Sequence, residues 1–210
     1  MTASGKQRNR PPRARPQGVR TRTAIVREAR TLLLECGSLE FTLREIAQRT
    51  GISISNLQYY FPTRLALLRA VLDPVIEGYM RDLRDAVGRS APPRATLDAL
   101  VARALKDALD VESAALWCHF LALVAIDDAS AQLMDEWHGA LAHEIALLVG
   151  ALQPAYTYRQ SVEIGILLIA IVDGVIVRTG TGRRGDGCPR ALSGALLATV
   201  EGFLRGRVAT

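Results

Sequence analysis

The chain predicts an all-α fold of about nine helices, a small helix-turn-helix unit in front and a larger helical domain behind. Three observations predict it. Hydrophobic residues make up 49% of the 210 positions but aromatics only 5%, and the aliphatic share is rich in alanine and leucine, which favour helix. Apolar residues recur at three- and four-residue spacing along most of the chain. Residues 42–61 contain two helix-start signals on either side of a turn glycine.

Residues 1–20 read as a disordered basic arm. Met1 to Arg22 carries seven basic residues and no acid, with Pro11, Pro12 and Pro16 among them, a composition too polar to order itself. Such a segment serves either as a solubilising tail or as an arm that follows duplex DNA and touches its phosphates. The first helix is predicted to start near Thr21–Thr23. Ile25, Ala29, Leu32, Leu33 and Cys36 keep helical spacing, and Gly37 ends it.

The helix-turn-helix domain is predicted over 21–68, and its centre is Thr42 to Phe61. Thr42 and Glu45 have capping-box spacing, and Phe41 with Ile46 has the spacing of a hydrophobic staple. Ala47 is small enough to let a second helix cross closely. Gly51 follows where a tight turn needs positive φ. Ser53 caps the next helix, and Ile52 and Leu57 repeat the staple. Ile46, Ile52, Leu57 and Tyr60 are the predicted shared core. A unit of this kind presents its second helix to a DNA major groove. Pro62 and Thr63 then close that helix and open another, rich in leucine, with Pro74 inside it as a predicted kink.

Residues 69–210 form a second predicted helical domain. Ala91-Pro92-Pro93 is a break. Leu97, Leu100, Val101, Ala104, Leu105 and Ala108 then mark an amphipathic helix, and Ser113 to Ile126 a buried one. Asp127, Asp128 or Ser130 caps a helix running to about Val149. A loop over Gly150 to Tyr156, a long apolar helix over Thr157 to Arg178, a loop over Gly180 to Gly187 and a last helix from Pro189 to about Arg205 complete the chain.

Charge divides in the same way. Residues 1–69 hold 13 Lys/Arg against 4 Asp/Glu, a net of +9, while residues 70–210 hold 13 against 17, a net of −4. A basic front and a mildly acidic rear suit a protein whose front meets phosphate. Cys36, Cys118 and Cys188 are too few and too scattered for a disulfide framework or a zinc site, which points to a reducing cytoplasm. The apolar run Ile164–Val177 is 14 residues long and contains Asp173, which predicts no membrane span. No cofactor or metal is expected, and no enzyme. His138 and His143 are five apart and fall on different helix faces. Gly180, Gly182 and Gly185 match a dinucleotide fingerprint in letters but lack a β-α-β setting.

Base reading needs paired donors and acceptors on the exposed face of the second helix. Asn56 and Gln58 can each bond adenine twice, Ser55 can meet a polar base edge, and Ile54 a thymine methyl. Tyr59 is a phosphate or base-edge candidate. Thr42, Ser53 and Thr63 sit at helix starts, where free N–H groups favour phosphate oxygens. Arg44, Arg64, Arg20 and Arg22 are phosphate candidates or solvated charges. One such head buries too little DNA for tight specific binding, so a homodimer on a near-palindromic operator is expected. Its interface candidates are the helices over 157–178 and 189–205.

Phe41 to Leu68, FTLREIAQRTGISISNLQYYFPTRLALL, resembles the TetR family of bacterial transcription regulators. The YYFPTR phrase carries most of the likeness, being similar to the family's Tyr-x-x-Phe-x-Ser-Lys join. Ile54, Ser55, Gln58, Arg64 and Leu65 depart from the family's usual residues, so the operator does not carry over. The Trp117–Val149 region resembles the rear domain of the choline-responsive BetI-type subgroup. The resemblance implies a four-helix dimer interface and a small-molecule effector that releases the protein from DNA. It puts the effector pocket among the middle helices, where Trp117, His119, Phe120, Trp137, His138 and Tyr156 stand as candidates. Their bland alternative is an ordinary aromatic core. The two tryptophans with Asp127, Asp128, Asp135 and Glu136 nearby could suit a cation. A regulator without small ligand, gated by a protein partner or by abundance, is the other reading.

Overall fold

The chain turns its apolar stripes inward as a sequence of helices, several of them opened by side-chain caps. The computed structural model describes residues 16–36, 41–180 and 189–205. Among them are nine helices and no strand: α1 (Pro16–Cys36), α2 (Leu43–Thr50), α3 (Ile54–Tyr60), α4 (Arg64–Gly88), α5 (Pro93–Leu109), α6 (Val111–Val124), α7 (Asp128–Leu152), α8 (Tyr158–Gly180) and α9 (Pro189–Leu204).

The caps explain most boundaries. Thr42 Oγ1 accepts from Glu45 N at 3.2 Å, and Ser53 Oγ accepts from Asn56 N at 3.1 Å. Glu45 directs its carboxylate to Arg49 Nε at 3.0 Å, an i,i+4 ion pair on the same helix. Gly51 closes α2 at φ 66°, with its own N–H on Gln48 O and the next N–H, of Ile52, on Ala47 O. That is a Schellman closure, and a side chain there would strain the left-handed backbone. Asp110 and Asp127 cap α6 and α7. Hydrogen bonds from Ser113 and from Ser130 hold these two carboxyls below the usual range.

Several boundaries differ from expectation. Helix α1 begins at Pro16, whose fixed φ and missing N–H suit a helix start, so residues 16–20 of the predicted arm are helical. Residues 1–15 lie outside the described residues, as do Gly37 and most of the predicted 180–187 loop; Gly180 itself ends α8. Helix α7 runs on through Gly150 to Leu152. Helix α8 opens on a reciprocal capping box, Thr157 N to Gln160 Oε1 at 2.8 Å and Gln160 N to Thr157 Oγ1 at 3.3 Å. At 23 residues it follows the predicted 157–178 closely, and Tyr158–Thr179 is long and apolar enough to cross a membrane by length and composition. One side of it packs against α5, α6 and α7, and it carries Asp173 inward.

Two apolar cores divide the molecule. The first joins Ile25, Leu32, Phe41, Ile46, Leu57 and Leu68 of the front helices to Leu116, Phe120, Leu123 and Leu133 of α6 and α7. The second gathers Leu83, Leu97, Leu100, Ile145, Leu168 and Phe203 from α4, α5, α7, α8 and α9. The sequence boundary at residue 68 therefore falls inside α4 and inside one continuous core. The predicted staple residues Phe41, Ile46 and Leu57 are all fully buried, with Ile52 and Tyr60 packed on them.

Candidate functional site

Helix α3 is short, and its burial is one-sided. Leu57 is fully buried, whereas Ile54, Ser55, Asn56, Gln58 and Tyr59 are exposed. Tyr59 is 82% exposed, yet its ring stands edge-on to the half-buried Tyr60 at 5.2 Å. Burial along α3 thus sets Leu57 and Tyr60 toward the core and leaves positions 54–56, 58 and 59 at the surface. Thr42, Ser53 and Thr63 are exposed at the starts of α2, α3 and α4, and each hydroxyl accepts a capping bond, Thr63 from Ala66 N at 3.0 Å. A hydroxyl that accepts a cap keeps its own proton, which remains available to an anion.

The arginines are less alike than their spacing suggested. Arg20 and Arg44 are exposed. Arg22 lies over the Phe61 ring at 5.0 Å, which ties the start of α1 to the end of α3. Arg64 is half-buried, 5.8 Å from the Phe41 ring centre, and its charge adds to the lowering of Asp127 at the start of α7.

Between the two cores lies a cavity of about 400 Å³. Val71, Leu72, Leu116 and Trp117 line it from the front core, and Leu97, Leu100, Ile145 and Leu168 from the rear one. Its wall is overwhelmingly apolar. Of the predicted effector residues, Trp117, Trp137 and His138 line it. His119, Phe120 and Tyr156 do not. Phe120 is 1% exposed and packs at 5.3 Å from both Trp117 and Trp137, so it supports the wall from behind. Tyr156 donates its hydroxyl to Phe203 O at 2.7 Å, a strut to α9. His119 is half-buried, with protonation disfavoured by desolvation.

The acids proposed beside the tryptophans are placed elsewhere: Asp127 caps α7, and Glu136 pairs with Arg69 at 2.6 Å. Sequence reasoning missed the acids that do face the cavity, Asp107 and Asp173. Tyr79 donates to Asp107 Oδ2 at 2.8 Å, under Arg103, whose guanidinium is 4.2 Å from the ring centre. Burial first, then that bond to Asp107, push the Tyr79 hydroxyl well above its ordinary range. Asp173 Oδ1 accepts from Trp117 Nε1 at 3.0 Å, and Oδ2 stands 3.6 Å from His138 Nε2. Desolvation raises this carboxyl, against the opposing pull of His138 and the Trp117 bond. The signal for Asp173 was legible as the single acid within the apolar run Ile164–Val177.

The front of α7 links cavity and head. Glu136, paired with Arg69 of α4, immediately precedes Trp137 and His138 on the cavity wall. Arg69 lies on the helix that directly follows α3.

A three-helix head that exposes one face of α3, carried on a helical rear with an apolar chamber, is the architecture of a class of helix-turn-helix regulators. Residues 25–71 match the family described as bacterial regulatory proteins, tetR family. The chain is 25% identical over 158 residues to the HTH-type transcriptional regulator BetI of Agrobacterium fabrum, covering 75% of each chain. Its fold matches a transcriptional regulator from Pseudomonas aeruginosa PAO1 with a TM-score of 0.75 at 20% identity, over 92% of this chain and 94% of that one. It also matches a transcriptional regulator from Saccharomonospora viridis, solved in complex with choline, with a TM-score of 0.69 at 19% identity, over 87% and 96% of the two chains. The family match thus falls on the helix-turn-helix head, and the relatives and solved structures that the whole chain resembles are transcriptional regulators.

Proposed function

We propose that the protein is a cytoplasmic homodimeric repressor whose α3 helices read a palindromic operator and whose interior cavity takes a small-molecule effector that releases it. The observation that carries the DNA-reading part is the burial of α3: Leu57 anchors it while Ser55, Asn56 and Gln58 stand free at its surface. Amide side chains on such a face discriminate bases, whereas Thr42, Arg44, Ser53, Thr63, Arg64, Arg20 and Arg22 would hold phosphate and set the register. Residues 1–20 would then extend the head along the duplex, 21–68 form it, and 69–210 bind effector and partner.

The dimer reading rests on α8 and α9. Ile166 and Leu167 are 54% and 46% exposed, and Leu167, Ala170 and Gly174 form an exposed row at three- and four-residue spacing. A side chain added at Gly174 would meet nothing within 4 Å in one chain. Small residues in such a row let a second helix approach closely, and α9 adds exposed Gly194, Leu197 and Ala198. Effector gating is favoured over a partner-gated regulator by the cavity's position between the cores. A ligand that wedges the cores, or draws them together, moves α7, and the Arg69–Glu136 pair passes that movement to α4.

Substituting alanine for Gln58 and for Arg44 separately tests the head. Gln58→Ala is expected to weaken operator binding by about 1–3 kcal/mol while leaving random DNA unchanged. Arg44→Ala should weaken both alike and lower the salt slope by about 1. Titrations on operator and random duplexes at fixed salt read the difference. Equal loss on both DNAs for Gln58→Ala would remove α3 from base reading.

A further inference from the structure

We propose that the effector is an amphiphilic monocation: an extended apolar body bearing one ammonium group that sits against Asp173. This rests on the effector-gated reading above and names the ligand class of that cavity.

The polar groups on the wall decide the charge. Arg30 lies at its edge, 2.9 Å from Glu112 and beside Asp110, so its charge is already balanced. Asp107 accepts from Tyr79 and stands 3.7 Å from Arg103 Nε, a cation and a donor that satisfy it. Asp173 differs. Its partners are a neutral indole N–H on one oxygen and, 3.6 Å from the other, an imidazole that is cationic only when protonated. A half-buried carboxylate so placed gains most from a ligand that brings both charge and an N–H donor. Trp117 and Trp137, stacked 6.3 Å apart, add ring faces beside it.

The rest of the wall decides the body. A cavity of about 400 Å³ lined by leucine, isoleucine and valine is far larger than a bare ammonium head needs. Each methylene buried there is worth about a fourfold gain in affinity. A small quaternary ammonium such as choline would meet Asp173 and leave most of the apolar wall unfilled.

Four probes separate head from body in the full-length protein: decylammonium, decanol, decanoate and choline, followed by tryptophan fluorescence and calorimetry. Decylammonium should bind about tenfold or more tighter than decanol, because a charged hydrogen bond replaces a neutral one. Decanoate should bind more weakly than decanol, and choline far more weakly than decylammonium. Asp173→Asn should erase the advantage of decylammonium and leave decanol unchanged. Decanol, decanoate or choline binding as tightly as decylammonium would overturn the proposal, as would no binding by any probe or an advantage that survives Asp173→Asn. The wild-type ranking decides the matter alone if the variant fails to fold. Operator release is read in parallel. Decylammonium that binds without releasing DNA refutes gating and leaves the ligand class standing. Release by decanoate in preference to decylammonium does the reverse.

Discussion

Aspartate at both Leu167 and Ala170 is expected to convert the protein to a monomer and lower specific operator affinity by about a thousandfold or more. Both positions are exposed in the single chain, so the fold of one subunit loses little by the change. In a dimer they would face each other across the symmetry axis, where four unpaired carboxylates would be buried together. The loss of affinity follows because one α3 reads one half-site only, and a second head held at fixed spacing supplies the remaining specificity. Sedimentation velocity and operator titration measure the two effects on the same sample. A variant that keeps the wild-type mass would move the interface off this face of α8.

Phe120→Ala is expected to cost about 3–5 kcal/mol of unfolding free energy. Phe120 is 1% exposed and belongs to the core that runs from the front helices into α6 and α7. Removing it leaves a void between Trp117, Trp137 and the front core, and these cannot all collapse into the gap. Urea unfolding reads the cost as a lowered midpoint at unchanged slope. Because that core includes Leu57 and Ile46 of the head, DNA binding should fall with stability at temperatures near the new midpoint. A loss below about 1 kcal/mol would show that the ring acts on the cavity and not as its support.

The head was legible in the sequence because its signals are local. Caps at Thr42 and Ser53, the left-handed turn at Gly51, and staples around Ile46 and Leu57 involve residues within five positions of each other. The structure follows them nearly residue by residue. The cavity was not legible in the same way, since its walls come from α1 and from α4 to α9 and no local spacing brings Tyr79 to Asp107 or Trp117 to Asp173. Two of the three residues misplaced there, Phe120 and Tyr156, are aromatics whose composition fits a core and a cavity wall equally well. Helix α1 was drawn too short because its first turn, Pro16 to Val19, lacks the apolar periodicity that marks the rest. Asp173 stood in plain view as an acid within an apolar helix, but only the fold shows that it points inward.

Selection of random duplexes by the full-length protein, followed by footprinting of the enriched DNA, tests the reading of α3 most directly. The expected result is two protected segments related by inversion, their centres about 34–36 Å or a multiple of that apart. Both should disappear together when Asn56 and Gln58 are replaced by alanine. A single protected segment, or a footprint and an enriched sequence unchanged in that double variant, would contradict it.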